Sequence, residues 1–200
     1  MKGVVENLWS GLTQSDRSFA KHLFIASLLG LMVFAARLLP HTADFTPTLA
    51  VGLVAGTYLP VGFALFASLS GIFASNIFLP GNSFVGSLIV VVAILFAMIC
   101  GKLIAKQVTG GKISRKVTII FGATISSSLI FFLITNCNFL YNGYANYALN
   151  FSGLIQSYVA GIPFFRAQIL GDIVYSGALF GVAEFAKVWL YSQKTLKKFS

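Results

Sequence analysis

The sequence predicts an all-α, polytopic membrane bundle of six transmembrane helices with both termini cytoplasmic. Three observations predict it. First, 57% of the 200 residues are hydrophobic, only 10% are charged, and the mean hydropathy is +0.86. A soluble domain carries about 45–50% apolar and about 25% charged residues. Second, apolar stretches of spanning length recur along the chain. Third, the formal charge of +9, from 14 Lys+Arg against 5 Asp+Glu, is gathered into clusters. This composition excludes an ordinary soluble enzyme, a disordered chain and a nucleic-acid-binding domain.

A spanning helix needs about 20 apolar residues. The first runs from His22 to Leu39 and stops at Pro40. The apolar block Thr46 to Leu79 is too long for one helix and breaks at Leu59-Pro60, giving helices over 46–59 and 60–79. The first of these is short, which makes it tilted, re-entrant or packed inside protein. Pro80-Gly81-Asn82 closes the second. The remaining helices are expected over 83–106, 116–136 and 166–190, in one integral membrane domain covering 1–200. The segment before His22 carries Glu6 and Asp16 and lacks the apolar core of a cleaved signal peptide.

The positive-inside rule tests the number of spans. Lys2, Arg17 and Lys21 precede the first helix. Lys102, Lys106, Lys112, Arg115 and Lys116 flank the fourth connection, and Lys187, Lys194, Lys197 and Lys198 gather near the C-terminus. The connections 40–46, 80–82 and 137–165 contain no Lys or Arg. Six spans put every cluster in the cytoplasm. A single span over 46–79 would put the five-cation loop outside.

Segment 137–165 is rich in Tyr and Phe. It is expected as an outer aromatic loop, with 151–162 a short helix in the outer interface. It forms either an interfacial aromatic belt or a lid over a ligand site. Cys100 and Cys137 fall at opposite faces on this topology, so no disulfide joins them. Cys137, among polar outer residues, is also weighed as a soft-metal contact.

Ionisable groups inside spans are costly and face the bundle or a wet cavity. Arg37, His41, Asp44, Asn76, Asn136, Arg166 and Asp172 all fall at or near the outer ends of spans. Asp172 lies ~9 Å below Arg166 at 1.5 Å per residue, and shares a helix face with Tyr175. A buried carboxylate needs a partner, and Arg37 at similar depth is the candidate. That pair either ties helices together or also binds a polar ligand. No spacing typical of a metal site is present, and no cofactor is expected. On the inner side Glu184 is expected to pair with Lys187, and Ser126, Ser127 and Ser128 to serve helix packing. Ala26-x-x-x-Gly30 and Gly177-x-x-x-Gly181 are small-residue faces that either pack inside the bundle or dock a partner subunit. No nucleophile elbow, HExxH or phosphate loop occurs, so the chain is not expected to be an enzyme.

Three stretches carry a family resemblance. They are Ala36-Arg37-Leu38-Leu39-Pro40-His41 with Asp44-Phe45-Thr46-Pro47, then Phe131-Phe132-Leu133-Ile134-Thr135-Asn136, then Tyr158 to Phe165 running on through Arg166 to Asp172 and Tyr175. Together they resemble a family of uncharacterised bacterial six-helix membrane proteins. That family is similar to the substrate-binding S components of energy-coupling-factor (ECF) transporters. The resemblance implies an S-component-like bundle in the bacterial cytoplasmic (inner) membrane. It implies capture of a vitamin-like small molecule by the loops after helices 1, 3 and 5. It further implies a transmembrane coupling subunit, with ATPases, docked on a small-residue face of the first helix, here Ala26 and Gly30.

The leading expectation is therefore a membrane-embedded substrate-binding subunit. Arg37, Asn136, Asp172 and Tyr175 would orient the ligand, and Tyr158 and Phe164 belong to the aromatic cover. His41, Asp44, Asn76 and Arg166 complete the expected site. The alternative is a non-transport membrane scaffold or assembly protein, in which the Arg37–Asp172 contact serves stability alone. A membrane enzyme acting on lipid is the third class. Partners are thus a small ligand, the bilayer and a coupling subunit, with no nucleic acid.

Overall fold

In the computed structural model, residues 14–40, 44–79, 84–140 and 146–199 are described. They form six α-helices and, among the described residues, no strand. The helices are α1 (Gln14–Leu38), α2 (Thr48–Tyr58), α3 (Val61–Asn76), α4 (Phe84–Thr109), α5 (Ile113–Thr135) and α6 (Phe151–Phe199). Four of them, α1, α4, α5 and α6, are long and apolar enough to cross a membrane.

Local chemistry sets the boundaries. Asp16 in the first turn of α1 and Arg37 in its last complement the helix dipole. Pro60 has no N–H, so the ladder ends at Leu59 N–H to Ala55 O and restarts at Ala64 N–H to Pro60 O. The break expected at Leu59-Pro60 is therefore present. Gly111, at φ 84°, follows the end of α4, in a conformation that favours glycine.

The 11 residues of α2 rise only ~16 Å, too little for a ~30 Å hydrocarbon core. Its residues 48–57 are all buried. A helix apolar on every side suits that position. Of the three fates open to this short helix, it takes the one packed inside protein, where a short helix needs no contact with lipid.

Contacts fix the helix directions. Phe63 near the start of α3 meets Phe19 and His22 near the start of α1, and Phe78 just past α3 meets Phe34 near the end of α1. The two helices run parallel, so α2 brings the chain back between them. Gly30 and Gly71 let them close: a methyl on Gly30 would collide with Ser70 Oγ, and one on Gly71 with the Gly30 carbonyl. Likewise α2 and α4 run parallel, with Gly52 against the Ile94 carbonyl and Gly56 against the Met98 carbonyl. Thr57 Oγ1 bridges them, 2.8 Å from Leu53 O and 3.1 Å from Gly101 O. Opposed to α5, α6 pairs Glu184 with Lys116 at one end and Gln168 with Ser128 further along. Thus α1, α3 and α5 point one way, and α2, α4 and α6 the other. Every described Lys and Arg except Arg37 and Arg166 belongs to one end of this bundle.

Two expectations need correction. The short helix expected over 151–162 and the last helix expected over 166–190 are one continuous helix that starts at Phe151. Asn150 caps it, its Oδ1 accepting the Gly153 N–H at 2.9 Å, and Pro163 is carried inside the helix. Next, Ala26 and Gly30 are buried against α3, so the face expected to meet a coupling subunit is already filled. Conversely, a methyl on Gly177 or Gly181 would meet no described atom within 4 Å. That stripe lies open along a groove between α5 and α6.

Candidate functional site

At the end of the bundle away from the clustered cations, the helices enclose two adjoining cavities of about 370 and 240 Å³. Arg37, Asp44, Val90, Phe131 and Gln168 line both. The larger extends toward Asn76, Ser87, Asn136, Phe132 and Phe164. The smaller reaches Thr46, Thr48 and Asp172. All six helices and the α1–α2 connection contribute to the walls, with α2 placing Thr48 and Leu49.

Arg37 does not pair with Asp172. Glu184, at the other end of the bundle, pairs with Lys116 at 2.8 Å and with Lys187 at 2.7 Å. Instead, Arg37 Nε donates to Ser75 Oγ at 2.7 Å, and its terminal nitrogen to Asn76 Oδ1 at 2.9 Å. Asn76 Nδ2 passes the chain on to Ser87 Oγ at 3.1 Å. This clamp ties α1 to α3 and α3 to α4 at the cavity wall. A guanidinium has five N–H donors, and the clamp uses two.

Asp172 is 2% exposed, on α6. Its Oδ2 accepts from Ser128 Oγ at 2.7 Å and from Gln168 Nε2 at 3.4 Å. The same Gln168 amide donates to the Ser128 carbonyl at 3.3 Å. Ser128 Oγ also lies 3.0 Å from the Thr124 carbonyl, and its single proton serves one acceptor at a time. Both contacts fall on Oδ2, and Asp172 lines the smaller cavity.

The other expected residues divide. Asp44 lines both cavities, from a left-handed conformation at φ 62° that aspartate tolerates. Asn136 lines the larger cavity, pressed against Gly161, where a methyl would collide with its Oδ1. Phe164 lines it as well, although its ring is half exposed. Tyr158 does not line it: its hydroxyl donates to the Leu133 carbonyl at 2.8 Å, and its ring packs on Phe132. Tyr175 packs on Phe45, with ring centres 5.6 Å apart, beside the cavities rather than in their walls. Arg166 is exposed and lines neither cavity. His41 lies outside the described residues. Cys137 is a free thiol, and no group of three or more His, Cys, Asp or Glu side chains converges among the described residues.

Sequence reasoning missed Gln168, Ser87, Thr46 and Thr48, and gave Ser128 only a packing role. Gln168 precedes Asp172 by one helical turn, a spacing that brings an amide to a carboxylate and was readable.

The profile of DUF6580, a family of unknown function, matches residues 17–195. The chain belongs to this family. The match spans all six helices, so the cavities belong to the family's core region rather than to an appendage. No curated protein and no solved structure matches the chain.

Proposed function

We propose that this DUF6580 member is a membrane-embedded substrate-binding subunit for uptake of a small micronutrient, similar in organisation to the ECF S components. On this reading six helices cross the bacterial cytoplasmic membrane, with both termini inside. The alternating helix directions and the one-ended distribution of cations support that topology. The short α2 completes its crossing wrapped in protein.

One observation carries the functional reading. Arg37 and Asp172 line the same cavity, and each is held by its own neighbours rather than by the other. A scaffold would gain most from joining these charges. A binding site needs them apart and oriented, with apolar walls between them and a volume in the small-molecule range of roughly 300–1,000 Å³. The Phe131, Phe132, Phe164 and Phe165 rings supply such walls. The coupling subunit and its ATPases would then have to dock somewhere other than the Ala26/Gly30 face, which α3 occupies.

The test is direct. Purified protein is examined by native mass spectrometry for a retained small molecule, and by thermal unfolding against a panel of vitamins and related compounds. A stoichiometric ligand, or saturable stabilisation, is expected. Neither result with a folded protein would remove the reading.

A further inference from the structure

We infer that the ligand is an organic cation and that its positive nitrogen sits against the Asp172 carboxylate. This inference rests on the capture reading above and narrows it to a chemical class.

A carboxylate buried at membrane depth requires a compensating charge or proton. Asp172 has no cationic partner among the described residues. Ser128 and Gln168 both address Oδ2 and hold the carboxyl group in one orientation, in the wall of the smaller cavity. That cavity supplies the surroundings of a cationic nitrogen. Thr46 and Thr48, whose hydroxyls lie 3.0 Å apart, stand on the same wall. An ammonium carries three protons and needs such acceptors.

A bare metal ion fits poorly. A hard divalent ion takes about six or more oxygen ligands at close range. Here Asp172 lines a cavity of about 240 Å³ that adjoins a larger phenylalanine-lined one. Aromatic faces attract organic cations and accommodate their apolar parts. Arg37, with two of its donors committed to Ser75 and Asn76, repels a second cation and attracts acceptor atoms. The geometry therefore orients a ligand with its cationic end at Asp172 and its acceptor groups toward Arg37.

The test uses the full chain in detergent and four classes of small metabolite: ammonium-bearing, zwitterionic, neutral and anionic. Each class contains an aromatic and an aliphatic member, and binding is read by thermal shift and titration calorimetry. Saturable binding is expected only from members with a cationic nitrogen. Asp172→Asn should weaken it by about tenfold or more, whereas Asp172→Glu should keep part of it. The comparison of classes on the wild-type protein stands even if a variant misfolds. Binding confined to neutral or anionic members overturns the cation assignment and leaves capture intact. Cation binding unchanged in Asp172→Asn overturns Asp172 as the seat. No binding by any class overturns both this inference and the capture reading.

Discussion

Replacing Arg37 by methionine tests the clamp at the cavity wall. Methionine keeps much of the apolar stem and removes every donor. Two charge-assisted bonds disappear, to Ser75 Oγ at 2.7 Å and to Asn76 Oδ1 at 2.9 Å. Ser75 keeps its bond to the Ile72 carbonyl and Asn76 Nδ2 keeps Ser87, while Asn76 Oδ1 loses its donor. Hydrogen bonds to charged groups contribute about 1.5–3 kcal/mol each in soluble proteins. Interhelical bonds in membranes average ~0.6 and reach ~1.7 kcal/mol. Two such bonds give about 1–3 kcal/mol. For a chain of this length that is a fall in Tm of about 3–10 °C. Arg37→Lys retains one donor group and should fall roughly half as far. Asp172→Asn is the control, because the Asn carbonyl still accepts from Ser128 and a buried charge is removed. It should leave Tm within about 2 °C of wild type or raise it. Thermal unfolding in one detergent decides the matter. If Asp172→Asn destabilised as much as Arg37→Met, and the double variant added nothing, the two residues would be a pair and the clamp would be wrong.

Glycine substitutions give a second contrast. Gly101→Ala pushes a methyl into the Leu53 carbonyl and should destabilise by about 1–3 kcal/mol by thermal unfolding, whereas Gly177→Ala meets open space and should gain up to about 1 kcal/mol of helix propensity. Gly161→Ala should displace Asn136 and narrow the larger cavity, lowering affinity in titration calorimetry more than it lowers Tm. Glu184→Gln removes the ion pairs with Lys116 and Lys187 at the cation-rich end and should cost no more than about 1 kcal/mol by thermal unfolding, less at high salt. In intact cells an impermeant maleimide should modify Cys137 and spare Cys100; the reverse pattern would invert the topology.

Much of the fold was legible because it follows from solvent. Hydrophobic length, proline breaks and the position of lysines are one-dimensional signals. They located the helix pair joined at Pro60 and the common end of the cations. What escaped depends on neighbours. The sequence separates a short helix over 151–162 from a last helix over 166–190. The two form one helix from Phe151 that carries Pro163, because the Asn150 cap and the bonds of Ser157 to the Asn136 carbonyl and Tyr158 to the Leu133 carbonyl anchor its first turns. Small-residue spacing looked alike at Gly30 and Gly177. Only packing separates them, one against α3 and the other facing out.

The Arg37–Asp172 expectation failed in an instructive way. Opposite charges at similar depth attract, so pairing was the economical guess from sequence. In the folded chain each charge meets competing partners closer to its own helix. Ser75 and Asn76 reach Arg37 from α3, while Ser128 on α5 and Gln168 on α6 reach Asp172. These neutral groups fix the two side chains in place, and Asp44 stands in the same cavity walls. The charges therefore remain separated across a cavity. A direct salt bridge between them would have drawn α1 and α6 together and filled the space that a ligand needs. The polar residues that seemed bland in the sequence are thus what keeps the site open.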